Sequence, residues 1–327
     1  MSSDRPILIV DGANLFIRSW SAFPSMSSHG YQMGGCIGFL KTLKRIVSEI
    51  QPRFVVVAWE GGGSARRRSI YPEYKLGRRP EKLNRFYGDD IPESEENRKH
   101  QMLSLLDMLK SVPVCQVYVS DCEGDDIIAF LCKGYFRQNE KIIVSSDKDM
   151  YQLLDEKTRI YSLHKKLVLS KDDIFEEFRI KTCNFAMAKS ICGDPGDNIP
   201  GIKGLGFKTI SKKIPFLGGD SEVLIDEVIS FCHSRMPESS IYKRIVENEN
   251  LIRRNWKLIY LDGSMLSATQ ISKVQHVIDT FVPHTNRIAL IKSLVKEGVG
   301  DFNVEDFFYA FRCIDNAPYA GGEQNAG

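Results

Sequence analysis

Three carboxylates crowd into four residues at Glu123, Asp125 and Asp126, within Cys122-Glu-Gly-Asp-Asp-Ile-Ile-Ala-Phe130. One acid at a helix start is ordinary capping, because it answers unpaired N–H groups and the helix dipole. Three exceed what a cap requires, since neighbouring carboxylates raise one another's pKa unless a cation lies between them. The signature recurs along the chain. Ile7-Leu-Ile-Val-Asp11 ends on an acid, Phe54–Trp59 runs into Glu60, and Lys141-Ile-Ile-Val-Ser-Ser146 runs into Asp147-Lys-Asp149. Two further acids, Asp194 and Asp197, lie in Gly193-Asp-Pro-Gly-Asp-Asn198. An all-oxygen donor set without His or Cys selects hard cations, Mg²⁺ or Mn²⁺. Repulsion in so dense a set calls for more than one ion, and two ions about 4 Å apart clamp a phosphodiester for hydrolysis by an ion-activated water. No Ser/His/Asp or Cys/His arrangement offers competing chemistry.

Those acids act together only if the fold gathers them. The apolar runs at 7–11, 54–59, 114–119 and 141–146 are β-rich and continuous, and they alternate with helical periodicity at 34–50, near Met102–Leu109 and from Gly124. That pattern predicts a mostly parallel sheet covered on both faces by helices. Parallel strands share a polarity, so acids at their carboxyl ends lie along one edge, where open α/β sheets bind ligands. A short helix at Met150–Leu154 and weak strands near Ile160 and Val168 close this half. Beyond about Lys171 the periodicity is helical, with a turn-rich interruption at 193–206. The expected division is a catalytic domain at 1–175 and a helical domain at 176–313, followed by a disordered Gly/Asn-rich tail at 314–327.

Two basic features flank the acids. Between Ser64 and Arg85 stand Arg66, Arg67, Arg68, Lys75, Arg78, Arg79, Lys82 and Arg85 against two acids, with Tyr71, Tyr74 and Phe86 interleaved. Basic side chains follow a phosphate backbone and aromatics stack on unpaired bases, which is single-strand chemistry. This segment belongs to an insertion, 61–96, that lacks core periodicity and begins directly at Glu60, so it must rise beside the acidic edge. The second feature is Gly201-Ile-Lys-Gly-Leu-Gly206, with Lys203, Lys208, Lys212 and Lys213 and no acid from Gly201 to Lys213. A glycine-rich hairpin between helices presents N–H groups to a phosphate.

The whole-chain figures set bounds only. With 43% hydrophobic and 26% charged residues, 327 residues suit a soluble globular protein of one or two domains. Lys plus Arg (44) nearly cancels Asp plus Glu (42), so net charge names no partner. Eight scattered cysteines without a C-x-x-C pair read as reduced core residues, and the six histidines form no metal-ligand spacing. No signal-like start or membrane-length apolar run is present, which points to the cytoplasm, or to the host cytoplasm if the source is a phage.

Taken together these residues resemble the structure-specific 5′ nucleases, or flap endonucleases. That family takes in the 5′-nuclease domain of bacterial DNA polymerase I and the phage 5′–3′ exonucleases, including the T-even phage ribonuclease H. The match rests on Val10-Asp-Gly-x-Asn, Arg67 with Tyr74-Lys75-x-x-Arg78, Glu123-x-Asp-Asp126, Ser146-Asp-Lys-Asp149, and Gly193-Asp-x-x-Asp-Asn-Ile-Pro-Gly-Ile-Lys-Gly-Leu-Gly206, in the family's order across roughly 7–215. The resemblance implies a PIN-like, resolvase-like α/β domain, with the insertion as a helical arch and 193–213 as a helix-hairpin-helix. It implies that Asp11, Glu123, Asp125 and Asp147 surround a first metal. Asp149, Asp194 and Asp197 would hold a second, and Asp126 would support both. It places Arg67 and Lys75 at the scissile phosphate and Tyr74 against a base, while Arg66, Arg68, Arg78 and Arg79 guide the strand. Gly201, Lys203, Gly204, Gly206 and Lys208 would grip duplex, with K⁺ at the hairpin. Expected partners are branched, nicked or primed DNA, RNA–DNA hybrid, and a single-strand-binding protein or polymerase accessory protein, met by a monomer that binds no membrane. Glu60 departs from the family, which carries Asp at that strand end. Competing readings are a Toprim or other PIN-type nuclease, which lacks the hairpin and arch, and a branched-DNA binder without catalysis.

Overall fold

The structure is a computed structural model and describes residues 5–76 and 95–315. Arg78, Arg79, Lys82, Arg85 and Phe86 of the insertion lie outside the described residues, as does the tail from 316 onward.

Six strands form one sheet: β1 (Ile7–Asp11), β2 (Phe54–Trp59), β3 (Cys115–Tyr118), β4 (Lys141–Ser145), β5 (Thr158–Ser162) and β6 (Leu167–Leu169), in the order β3-β2-β1-β4-β5-β6. Every neighbouring pair is parallel except β5–β6. The runs are continuous in apolar residues because both faces are covered. Ile7 and Ile9 enter one apolar cluster, while Leu8 and Val10 enter the other. Each such side chain, fully buried, stabilises the fold by about 1.5–3 kcal/mol relative to exposure.

The chain steps outward from β1 to β2 to β3, then returns to place β4 on the other side of β1. The topological switch point therefore falls between β1 and β4. Register keeps the ends of β1 and its two neighbours level, with Val10 opposite Val144 of β4 and Asp11 opposite Ala58 of β2.

The helices are α1 (Gly12–Ala22), α2 (Gly34–Ile50), α3 (Ala65–Ile70), α4 (Glu95–Leu109), α5 (Gly124–Phe130), α6 (Lys171–Phe178), α7 (Phe185–Cys192), α8 (Phe207–Lys213), α9 (Ile225–Ser234), α10 (Ser240–Glu247), α11 (Glu249–Ile259), α12 (Ala268–Asp279), α13 (Arg287–Lys296) and α14 (Val304–Ala310). Helix α1 has no counterpart in the sequence reading, and the short helix expected at Met150–Leu154 is a 3₁₀ turn at Lys148–Leu153. One apolar cluster continues from a sheet face into α7–α12; the other joins the opposite face to α2, α4, α13 and α14. None of the eight cysteines is in a disulfide. Among the described residues no helix is long and apolar enough to cross a membrane.

Candidate active site

Asp11 ends β1 and caps α1, accepting the Asn14 N–H at 3.0 Å. Its other oxygen accepts the Ser145 hydroxyl from the level end of β4 at 2.9 Å. Asn14 in turn accepts the Ser146 N–H at 3.0 Å, tying the two strand ends together. Asp147 caps the 3₁₀ turn by accepting the Asp149 N–H at 2.9 Å. Burial pushes Asp11 up to about 6, with Asp147 and Glu60 adding repulsion. Burial, then Asp147 and Asp11, likewise raise Asp125 well above its ordinary range. Glu60 is exposed, one residue beyond β2.

The second group sits at the start of α5. Asp126 is closed off: Arg67 reaches its two oxygens at 2.8 and 2.7 Å, and the Glu123 N–H donates to it at 3.2 Å. Arg67 is only 1% exposed, and its Nε donates to the Leu258 carbonyl of α11 at 2.9 Å. This corrects two expectations. Arg67 does not point at a phosphate position, because every face of its guanidinium is spent inside the protein. Asp126 has both oxygens on a guanidinium, so its charge is already neutralised and a metal ion would have to displace that arginine. Tyr74 is a third correction, since it is buried and gives its hydroxyl to Glu123 at 2.9 Å and to Asp197 at 3.3 Å. A ring held in this way has no open face for base stacking.

Lys75 adopts a left-handed backbone (φ 55°) and donates its own N–H to the Asp197 carbonyl at 2.9 Å. Its ammonium lies 2.9 Å from Glu123 Oε2 and 3.8 Å from Asp197. Burial would raise Glu123, but Lys75 and Arg67 outweigh it and hold the carboxyl below its usual range.

The third group joins the sheet to the helical half. Asp149, Asp194 and Asp197 each bring a carboxylate oxygen within 4.8 Å of the others. The loop carrying the last two is tightly folded: Asp194 and Ile199 exchange backbone hydrogen bonds, and a Cβ at Gly201 would sit 1.8 Å from the Cys192 carbonyl. Sequence reasoning missed a residue here. Lys189, on α7 and 6% exposed, pairs with Asp149 and lies 2.7 Å from Asp194. A lone lysine among the apolar positions of α7 was the available signal. Burial pushes Asp149 up to about 7, and Lys189 only partly counters this. Desolvation works against the Lys189 charge, but Asp149, Asp147 and Asp194 together raise its pKa and keep it an ammonium.

Arg66 and Arg68 are exposed on α3, and Lys203, Gly204, Gly206 and Lys208 are exposed between and along α7 and α8, with Gly201 partly covered. Gly204 has a φ of 79°, and the Lys203 carbonyl beside it accepts from Arg244 at 2.6 Å.

Residues 6–179 match the family model described as 5′–3′ exonuclease, N-terminal resolvase-like domain. The chain belongs to this family. It is accordingly a nuclease, a hydrolase of phosphodiester bonds. Among its relatives, the 5′–3′ exonuclease of Aquifex aeolicus is 27% identical over 222 residues, covering 67% of this chain and 72% of that one. The thermostable DNA polymerase I of Thermus thermophilus is 30% identical over 211 residues, covering 64% of this chain and 24% of the polymerase. In fold, the chain is similar to a variant of the bacteriophage T5 flap endonuclease solved with DNA and metal ions, with a TM-score of 0.62 at 20% identity, covering 94% of this chain and 99% of that one.

The donors of this family member suit a divalent cation. They are carboxylate oxygens from separate elements, and Glu123 Oε1 is buried with no hydrogen-bond partner. An orphaned buried anionic oxygen is costly unless a cation completes it.

Proposed function

We propose that the chain is a Mg²⁺-dependent 5′ nuclease that cuts near junctions of single- and double-stranded DNA, removing primers or flaps in replication and repair. The observation that carries this reading is the gathering of carboxylates from five chain segments at the switch-point edge of the sheet, with oxygens left over after capping and pairing. Two Mg²⁺ ions bound there, with Mn²⁺ able to substitute, would activate water and neutralise charge on the phosphate. Asp11, Glu123, Asp125 and Asp147 would hold one ion. Asp149, Asp194 and Asp197 would hold the other, and exposed Glu60 would act at the rim.

The chain's own residues supply the rest. Lys75 is anchored by its backbone N–H, and its partly exposed ammonium would pass from Glu123 to a phosphate oxygen, where a cation stabilises developing charge. Arg66 and Arg68, with Arg78 and Arg79, would guide the single strand. The hairpin Gly201–Gly206, with Lys203 and Lys208, would hold downstream duplex through phosphates, with K⁺ as a further hairpin ligand. The T5 flap endonuclease seen with DNA and metal ions supports this assignment. RNA–DNA hybrid is a further substrate class, and single-strand-binding or polymerase accessory proteins are natural partners of a monomer acting at such junctions.

The deciding assay maps products on a 5′-flap, a nicked duplex and an RNA-primed duplex, each with Mg²⁺ and with EDTA. Cleavage near the junction in Mg²⁺ alone is expected. Cleavage that persists in EDTA, or binding without any cleavage, would overturn the reading.

A further inference from the structure

Three basic side chains lie against the acids, Arg67 and Lys189 buried and Lys75 half-buried, and they are distributed unevenly. Arg67 neutralises Asp126, Lys75 lies on Glu123 and approaches Asp197, and Lys189 lies between Asp149 and Asp194. Among the described residues, no basic side chain forms an ion pair with Asp11, Asp125 or Asp147. The same edge therefore has three acids, Asp11, Asp125 and Asp147, that Lys75 and Lys189 reach only at longer range, and a triad in which two members already share an ammonium.

Lys189 does not lie there by default. Its side chain is buried on α7, and ordering a buried lysine loses rotamer freedom and hydration. Only the carboxylates repay that, so the ammonium is held on Asp149 and Asp194, two of the three acids whose oxygens lie within 4.8 Å of one another. An ion entering must displace the ammonium or share its ligands, and either route weakens binding.

We propose that Lys189 is a built-in competitor for the second cation, so that the two sites fill in a set order. Asp11, Asp125 and Asp147 take an ion in the free protein. The Asp149–Asp194–Asp197 site fills fully only when substrate phosphate adds further oxygen ligands. This rests on the metal-dependent nuclease reading and adds to it a residue that sets the order of loading.

Titration calorimetry of the DNA-free protein with MnCl₂ tests the idea without any activity readout. The wild type should bind one Mn²⁺ well and a second weakly. Lys189→Met should strengthen the second site by on the order of ten- to a thousandfold, the span a neighbouring unit charge commonly produces, and leave the first nearly unchanged. Lys189→Arg, which keeps the charge, should retain the weak second site. A second site equally weak or weaker in Lys189→Met overturns the proposal. Absence of any Mn²⁺ binding to the wild type overturns the underlying metal-dependent reading instead. Should Lys189→Met not fold, the wild type still decides. In ¹³C-lysine-labelled protein titrated with CaCl₂, the Lys189 Cε signal, assigned by its loss in Lys189→Arg, should move with the second equivalent. A signal that moves with the first equivalent, or never, refutes the proposal.

Discussion

Arg67→Ala separates a structural arginine from a catalytic one. The Arg67–Asp126 pair is bidentate, both partners are almost wholly buried, and a third donor contact runs to the Leu258 carbonyl. Removing one partner of such a pair leaves an uncompensated buried carboxylate and costs about 3–5 kcal/mol. The lost bond to Leu258 adds about 1 kcal/mol. Against a typical total stability of about 5–15 kcal/mol, this is about a quarter or more of what holds the fold. Urea denaturation followed by circular dichroism should show the loss directly. The double variant Arg67→Met with Asp126→Leu should recover most of it, because replacing a buried pair with apolar side chains is often neutral. The reasoning fails if Arg67→Ala unfolds within about 1 kcal/mol of wild type, the measured range of an exposed pair, while cleavage collapses. That result would return Arg67 to the phosphate.

Asp125→Ala and Asp147→Ala should each slow cleavage by at least about a hundredfold, as loss of a group supporting transition-state charge commonly does, yet leave DNA affinity largely intact in a gel-shift assay; equal loss of both would contradict a metal role. Lys203→Ala or Lys208→Ala should lower the slope of log affinity against log salt by about 1, and an unchanged slope would remove the hairpin from the binding surface. Metal-free protein should lose stability as pH rises from about 4 to about 7. Asp11 at about 6 and Asp149 at about 7 keep their protons in the folded state after the unfolded chain has released them, so their stabilisation is complete below the ordinary carboxyl pKa and gone above the raised one. For Asp11 alone the change is about 3 kcal/mol; thermal melts in EDTA should show it, saturating Mg²⁺ should abolish it, and a metal-free stability that climbs across this window would reverse the sign.

The strands were legible because a strand buried on both faces leaves a continuous apolar run, and the shared polarity of parallel strands then places their terminal acids on one edge. What the pattern could not give was the direction of side chains on short elements. Helix α3 is six residues long, and nothing in Ala65-Arg-Arg-Arg-Ser-Ile70 says that the middle arginine turns inward while its neighbours stay exposed. Tyr74 stands among basic residues and reads as a stacking ring, but its hydroxyl lies between two carboxylates and the ring is buried with them. Lys189 gave only the weak signal of a lone lysine among apolar positions, because its partners are some 40 residues upstream and on the following loop and only the tertiary fold brings them together.

Helix α1 shows why capping and ligation are poor alternatives. Its start signal is Asp11, the same residue that reads as a metal ligand, and in the structure it is the N-cap. Asp147 and Asp194 behave alike, each spending one oxygen on an N–H two residues ahead. A carboxylate has about four lone-pair positions, and a cap uses one or two. The cap restricts the side-chain torsion, so less conformational entropy is left to lose when an ion arrives. Crowded acids at strand ends are therefore caps and candidate ligands at once, and the useful question for each is which oxygen remains. For Asp126 both are held by a guanidinium; for Asp194 the second is held by Lys189; for Glu123 it is Oε1, buried and without a partner.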